Sequence, residues 1–385
     1  MNDHVVIVAA KRTPIGHFGG YYKNTPAPLL GAAVLEAIVK NINMPLKDID
    51  EVLMGCVLSA GLGQAPARQA ALLAHLPNHI PCTTINKLCG SGLKAVSIAC
   101  DTILSKHADI ILAGGMENMS CAPYLLPGAR FGYRFGSKTI QDHMMHDGLI
   151  NAYPPYLLMG VIAEQCAKQF KITRRAQDQF ALTSLMRAKT AAENNYFKNE
   201  IVAVNTILKD EGIINAQPEK ITKLKPVFAK NGTITAANSS SISDGAAALC
   251  VMSASKAIAL KIKPLAKIID YVSIAAKPDL FPTAPVAAIK ILLKKINWKL
   301  AEVDLFEINE AFAAVVLIAI RALKIPINKV NINGGACVLG HPIGASGARI
   351  LVTLIHALKR TQKKRGIATL CIGGGEAIAM AIEIA

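Results

Sequence analysis

The sequence is poor in the features that mark several common classes of protein. Aromatic residues make up 5% of its 385 positions and tryptophan occurs once, which leaves little material for base stacking. No dense block of lysine and arginine is interleaved with aromatics. The nearest run, Lys359-Arg-Thr-Gln-Lys-Lys-Arg365, falls between a helix pattern and a strand pattern and reads as a solvated helix end. The nine cysteines are odd in number and no two stand as Cys-x-x-Cys, which argues against a disulfide framework or a zinc knuckle and for a reducing compartment. The longest apolar run, Ala311–Ile320, is bounded by Glu310 and Arg321 and suits a buried helix, not a membrane span. There is no Gly-x-x-x-x-Gly-Lys-Ser/Thr and no Gly-x-Gly-x-x-Gly behind a strand, so a nucleotide fold is disfavoured. The strand-like run Val5–Ala10 is too short for the apolar part of a leader, and Asp3 is the wrong flank. The final Ile382-Glu-Ile-Ala385 carries no address of a known kind. The expectation is a soluble, cytoplasmic protein with no membrane and no nucleic-acid partner.

What is present is a core. Hydrophobic residues reach 52% and charged residues 18%, enough apolar material for two or three domains and too little charge for disorder. The net charge of +16 fits polyanionic partners such as nucleic acid, an anionic membrane or a phosphorylated cofactor. Val5–Ala10 predicts a strand, Leu29–Val39 a helix, Ile49–Val57 a strand, and Ala108–Ala113 a further strand ending at Gly114-Gly115. This alternation predicts an α/β fold with a parallel sheet covered on both faces. The last third repeats the plan in its letters. Leu46-Lys-Asp-Ile-Asp50 is echoed by Leu300-Ala-Glu-Val-Asp304, Ser91-Gly92 by Ser346-Gly347, and Gly114-Gly-Met-Glu117 by Gly373-Gly-Gly-Glu376, each of the last pair read as closing a strand. Two similar halves about a pseudo-twofold are expected. Between them, from about 118 to 243, come proline-rich turns, many of the aromatics and one long predicted helix, Ile162–Asn194. That stretch reads as a lid or substrate platform.

The stretch Asn86-Lys-Leu-Cys-Gly-Ser-Gly92 organises the rest. The apolar segment Ile80–Ile85 runs into it, and Leu93, Val96, Cys100, Ile103 and Leu104 leave it at helical spacing. Cys89 thus stands at a strand-to-helix junction, where free N–H groups and the helix dipole would favour a thiolate. On this stretch alone a buried structural cysteine beside a tight turn is the better reading, since a free cysteine is usually a small hydrophobe. Three further polar clusters are expected at strand ends, where α/β sheets bind ligands: Asn309-Glu310, His341 in a glycine-rich loop, and Cys371 before Gly373-Gly-Gly375. If Cys89 and His341 meet, they make a nucleophile–base pair suited to acyl carbons, with Cys371 left as an acid/base.

These motifs, taken in order from Ala9-Ala-Lys-Arg-Thr-Pro-Ile-Gly-His-Phe-Gly-Gly20 through Gly63–Gln69, the Cys89 motif, Gly114–Ser120, Met159-Gly160, Asn309–Ala313 and Gly340–Gly347 to Cys371–Gly375, resemble the thiolases from end to end. Within that family the likeness is greatest to the acetoacetyl-CoA group. The resemblance implies a thiolase-like fold: an N-terminal half, 1–117, completed by 244–263; a loop insertion, 118–243, that binds coenzyme A; and a C-terminal half, 264–385. It implies reversible condensation of two acetyl-CoA to acetoacetyl-CoA through an acyl-Cys89, with a broader-range 3-ketoacyl-CoA thiolase of fatty-acid β-oxidation as the alternative. His341 would take the Cys89 proton. Asn309, through a water, would form one oxyanion hole with His341; the N–H groups of Cys89 and Gly373 would form the other. Cys371 would move the α-proton of the second acyl-CoA. Ser240, Phe228, Met159, Phe312 and Leu149 would line the coenzyme A and acyl sites. The family implies a homodimer or homotetramer, with coenzyme A thioesters as substrates and neither cofactor nor metal. One departure concerns specificity: Leu158 stands where short-chain relatives carry a histidine.

Overall fold

A computed structural model describes residues 4–42 and 44–385; Asp3, read above as unsuited to a leader, lies outside the described residues. The strands that matter are β1 (Val5–Arg12), β2 (Glu51–Gly55), β3 (Cys82–Ile85), β4 (Ile110–Asn118), β5 (Ser243–Ser253), β6 (Ala266–Ala275), β7 (Leu305–Ile308), β8 (Arg365–Ile372) and β9 (Glu376–Ile384). The main helices are α1 (Ala27–Asn41), α2 (Pro66–Leu73), α3 (Ser91–Leu104), α4 (Met159–Gln169), α5 (Arg174–Glu193), α6 (Ala284–Lys295), α7 (Ala313–Leu323) and α8 (Ile343–Arg360). The strands follow one path, β3-β2-β4-β5-β1-β6-β9-β8-β7.

The two ends of that path repeat one plan. In the first, β2 is parallel to β3 and β4, while β5 runs antiparallel to β4 and β1. In the second, β7 is parallel to β8, and β9 runs antiparallel to β8 and β6. The halves meet where β1 touches β6 at only two positions, Val6 with Lys267 and Ile7 with Ala266. The wholly parallel sheet expected from the alternation is therefore corrected to a mixed one. Of the antiparallel contacts, that of β8 with β9 comes from two strands joined directly by the Gly373–Gly375 turn, with no crossover helix between them. A second correction concerns Gly114–Glu117, which lies inside β4 and does not close it.

Burial explains the layers. α3 and α8 are packed against both halves of the sheet: Val96, Ala99 and Ile103 share one apolar cluster with Leu351, Val352 and Ile355, and with Ile111, Leu249, Leu370 and Ile378 of the strands. α1 and α2 cover the outer face of the first half, through Leu30, Val34, Ile38, Ala67 and Ala71. α6 and α7 cover the second, through Ile289, Leu292, Val316 and Ala319. Strands β4 and β5 are buried at every residue, which fits their nearly unbroken apolar runs.

The chain between β4 and β5 contains α4 and α5. The single helix expected over Ile162–Asn194 is thus two helices. The break is local chemistry. Lys171 takes a left-handed φ of 53°, and Thr173 begins a new helix by accepting the Ala176 N–H at 3.2 Å. This segment is tied to β1 by a buried ion cluster. Arg12 donates to Glu200 at 2.6 Å and to both oxygens of Asp210 at 2.7 and 3.0 Å, with its guanidinium over the Phe197 ring. Asp210 also accepts the Ile15 N–H at 2.9 Å.

Candidate active site

The two central helices begin at the same place. A methyl on Gly92 would lie 2.8 Å from the backbone nitrogen of Ala348, and one on Gly347 would lie 2.5 Å from that of Leu93. Only glycine permits that approach. Cys89 and His341 each stand two residues before the first residue of their helix, α3 and α8 respectively, so the contact puts both at one end of the central layer. His341 is in the loop between a short helix, Ala336–Leu339, and α8, and not at a strand end as expected.

The Cys89 turn is built from its own motif. Leu88 is held at a left-handed φ of 46°. Its N–H is accepted by Asn86 Oδ1 at 3.0 Å, and the Ser91 hydroxyl accepts the Lys87 N–H at 2.8 Å while donating to Leu88 O at 2.6 Å. Burial pushes the Cys89 thiol up to about 11, against the N–H groups of Gly373 and Cys89 itself, which favour the anion. Against the thiolate expected at this helix end, burial favours the neutral thiol, while the two N–H groups favour the anion.

His341 is buried, and burial together with the Arg349 charge lowers it to about 3, so at neutral pH it is uncharged. Its tautomer follows from its partner. Ser346 Oγ donates to Pro342 O at 2.8 Å, so in its 2.5 Å contact with His341 Nδ1 it accepts. The proton is therefore on Nδ1, and Nε2 presents a lone pair with no partner among the described residues. Asn309, immediately after β7, has Nδ2 3.4 Å from that same Nδ1, a contact and not a hydrogen bond once Nδ1 carries the proton, and Arg349 Nη2 reaches Asn309 Oδ1 at 3.5 Å. Glu310 accepts from Ser184, Asn331 and Cys337 and so fixes α5 to the segment leading to His341.

Cys371, near the end of β8, completes the group. Burial, and then the proximity of Cys89, hold its thiol far above the ordinary range. It packs in an apolar cluster with Phe312 and Ala311, against which Met159 and Phe228 lie. The Phe228 and Phe312 rings meet edge to face at 6.2 Å. Leu149 is on the other side, packed with Val57, Leu58 and Cys89. Ser240 uses both its N–H and its hydroxyl on Ala311 O, each at 3.0 Å. Leu158 is the half-buried residue before α4, bridged to Ile150. Thus Cys89, Gly373 and Cys371 form one group and His341 and Asn309 a second, and the two are joined where α3 and α8 begin side by side.

Three contributors escaped the sequence reading. Ser346 was visible only as a repeated letter. Glu117 is wholly buried, accepts the N–H groups of Val57, Leu58 and Gly344 at 3.1, 3.1 and 2.9 Å, and is pushed by burial up to about 7. It joins the floor under Cys89 to the start of α8. Lys87 and Glu376 form an ion pair across the two halves. Their common signal is a polar residue beside a motif glycine or cysteine, too weak to read alone. Among the described residues no cluster of His, Cys, Asp and Glu is placed to hold a metal, and no helix is long and apolar enough to cross a membrane.

Comparison with known proteins gives one answer along the whole chain. The thiolase N-terminal domain model matches residues 5–255, and the thiolase C-terminal domain model matches residues 262–384. A protein of Staphylococcus aureus (strain COL) named probable acetyl-CoA acyltransferase is 47% identical, over 98% of each chain. An acetyl-CoA acetyltransferase of Cupriavidus necator is 48% identical, over 98% of this chain and 99% of its own. With both halves matched, the chain belongs to the thiolase family.

Proposed function

We propose that this enzyme is an acetyl-CoA acetyltransferase that joins two acetyl-CoA, or cleaves acetoacetyl-CoA with coenzyme A, through an acetyl group on Cys89. The observation that carries the reading is the setting of the Cys89 sulfur. It lies against the Gly373 N–H and beside Cys371, at the helix end where His341 Nε2 is free to accept a proton. His341 takes the thiol proton as sulfur attacks the acetyl carbon. The oxyanion forms against the N–H groups of Cys89 and Gly373. Cys371, held as a thiol by burial, gives its proton to the departing coenzyme A sulfur and becomes a thiolate. That thiolate removes the α-proton of a second acetyl-CoA, whose enolate oxygen faces Asn309 and the His341 imidazolium. The carbanion attacks acetyl-Cys89, and the released sulfur takes its proton back from His341. Every proton is accounted for, with no resident cofactor or metal.

Substrate breadth is a second part of the reading. Leu158, apolar and half-buried before Met159, supports acceptance of chains longer than four carbons, as a broader-range thiolase of fatty-acid metabolism would show. The exposed Leu126, Phe131, Phe135 and Ile140 support a homodimer or homotetramer built on the insertion, and the nine free cysteines support a reducing compartment such as the cytoplasm. The test is direct. Incubation with radiolabelled acetyl-CoA is expected to label Cys89, and acetoacetyl-CoA plus coenzyme A to yield acetyl-CoA. Failure of both would end the proposal. A kcat/KM series over 3-ketoacyl chain lengths that falls to background beyond C4 would remove the broader range.

A further inference from the structure

The oxyanion hole in that reading takes one donor from each half of the molecule, the N–H of Cys89 before α3 and the N–H of Gly373 after β8. Their separation depends on how two turns from different halves are held together. Each turn is well fixed internally: the Cys89 turn by Asn86 and Ser91, the Gly373–Gly375 turn by left-handed φ angles of 85° and 89° at Gly374 and Gly375 and by the Ala276 N–H to Gly375 O at 2.9 Å. Between the turns the contacts are apolar and tight. A methyl on Gly90 would lie 2.4 Å from Ile372 Cδ1, and one on Gly373 would lie 3.1 Å from Leu88 Cδ1. Apolar contact resists compression but does little against sliding or opening. Beside the Gly373 N–H on the Cys89 sulfur, the directional tie between side chains is the ion pair of Lys87 Nζ with Glu376 Oε2. Lys87 is two residues before the nucleophile, and Glu376 opens β9 opposite Ile372.

We propose that Lys87 and Glu376 are positioning residues that lock the Gly373 N–H against the Cys89 N–H and so set the width of the oxyanion hole. This rests on the thiolase reading above. The pair is partly open to water, with side chains 23% and 35% exposed, so its worth to overall stability is small. Its effect is on geometry. A hole built from two halves loses transition-state stabilisation when its donors move apart by a fraction of a bond length, whereas simple displacement by the sulfur needs no such hole.

The experiment compares two reactions of the same sulfur in the full-length protein: acylation by labelled acetyl-CoA, and alkylation by iodoacetamide followed by peptide mapping. The variants are Lys87→Met, Glu376→Gln and the double exchange Lys87→Glu with Glu376→Lys, each with a thermal melt. Each single variant is expected to slow acylation about tenfold at saturating acetyl-CoA, with KM within about twofold of the unmodified protein. Alkylation of Cys89 and the melt should not change, and the exchanged pair should recover most of the acylation rate. Single variants acylated at the normal rate would overturn the proposal. So would a parallel fall in alkylation, which would mean the pair acts on the sulfur or on folding. An exchanged pair with raised KM and no recovery would make Lys87 a contact for the coenzyme A phosphates, and would also overturn it. An unmodified protein that takes no acetyl group would instead remove the thiolase reading, and the proposal with it.

Discussion

Replacing Ser346 by alanine tests the imidazole's tautomer with little risk to the fold. Ser346 is wholly buried in the first turn of α8, where alanine is a better helix former. The Pro342 carbonyl that loses the hydroxyl keeps the N–H groups of Ala345 and Ser346 at 3.0 and 2.9 Å, since alanine retains the second of these. What is lost is the acceptor 2.5 Å from His341 Nδ1. A buried N–H left without an acceptor costs about 1–3 kcal/mol. That cost falls on the Nδ1–H tautomer and on the imidazolium, the two forms needed before and after proton transfer. At about 1.36 kcal/mol per decade, the acylation rate should fall about 5- to 150-fold. The assay is transfer of label from acetyl-CoA to Cys89 under single-turnover conditions, with a circular dichroism melt beside it. A Ser346→Ala protein that melts normally and is acetylated at the unmodified rate would refute the assignment of the proton to Nδ1.

Three other outcomes are expected. Cys371→Ser should still accept label on Cys89, though more slowly, while solvent exchange at the acetyl methyl and condensation fall by orders of magnitude; a folded variant with normal exchange would take Cys371 out of the mechanism. Glu117 has a folded value of about 7 against about 4.5 unfolded, so its share of stability is full below pH 4.5 and is lost as pH rises through 7, a change of about 3 kcal/mol. Urea midpoints of the unmodified protein should therefore fall relative to those of Glu117→Gln between pH 5 and 8, and parallel curves would contradict this. Arg12→Met leaves Glu200 and Asp210 buried without their cation and should destabilise by about 3–5 kcal/mol, seen as a lower urea midpoint; an unchanged midpoint would mean that the cluster is not holding the insertion to β1.

The candidate catalytic side chains could be singled out because their surroundings are written in glycine. Cys89 and His341 each precede a small-residue helix start, and the need for Gly92 and Gly347 to touch a neighbouring backbone leaves a mark in the letters. The repeat of two halves was legible for the same reason. The direction of β5 and β9 was not, because a buried strand has the same apolar run whether its neighbour is parallel or antiparallel. The break between α4 and α5 was hidden by apolar residues continuing through Phe170 and Ile172, while the left-handed turn at Lys171 has no glycine to announce it. Glu117 and the Lys87–Glu376 pair act on partners 227 and 289 positions away, a distance no local pattern encodes.

Because α3 and α8 start at one point, the positive ends of two helix dipoles converge on the same few ångströms of space. Such a field treats the two partners of the reaction unequally. It favours negative charge on the substrate oxygen and on sulfur, and it opposes the cation on His341, in line with a ring already lowered to about 3 by its burial and by Arg349. In the proposed reaction that field would press the proton off His341 and at the same time hold the Cys89 sulfur anionic, so the two helix ends would favour charge on the reacting sulfur and oxygen over charge on the ring.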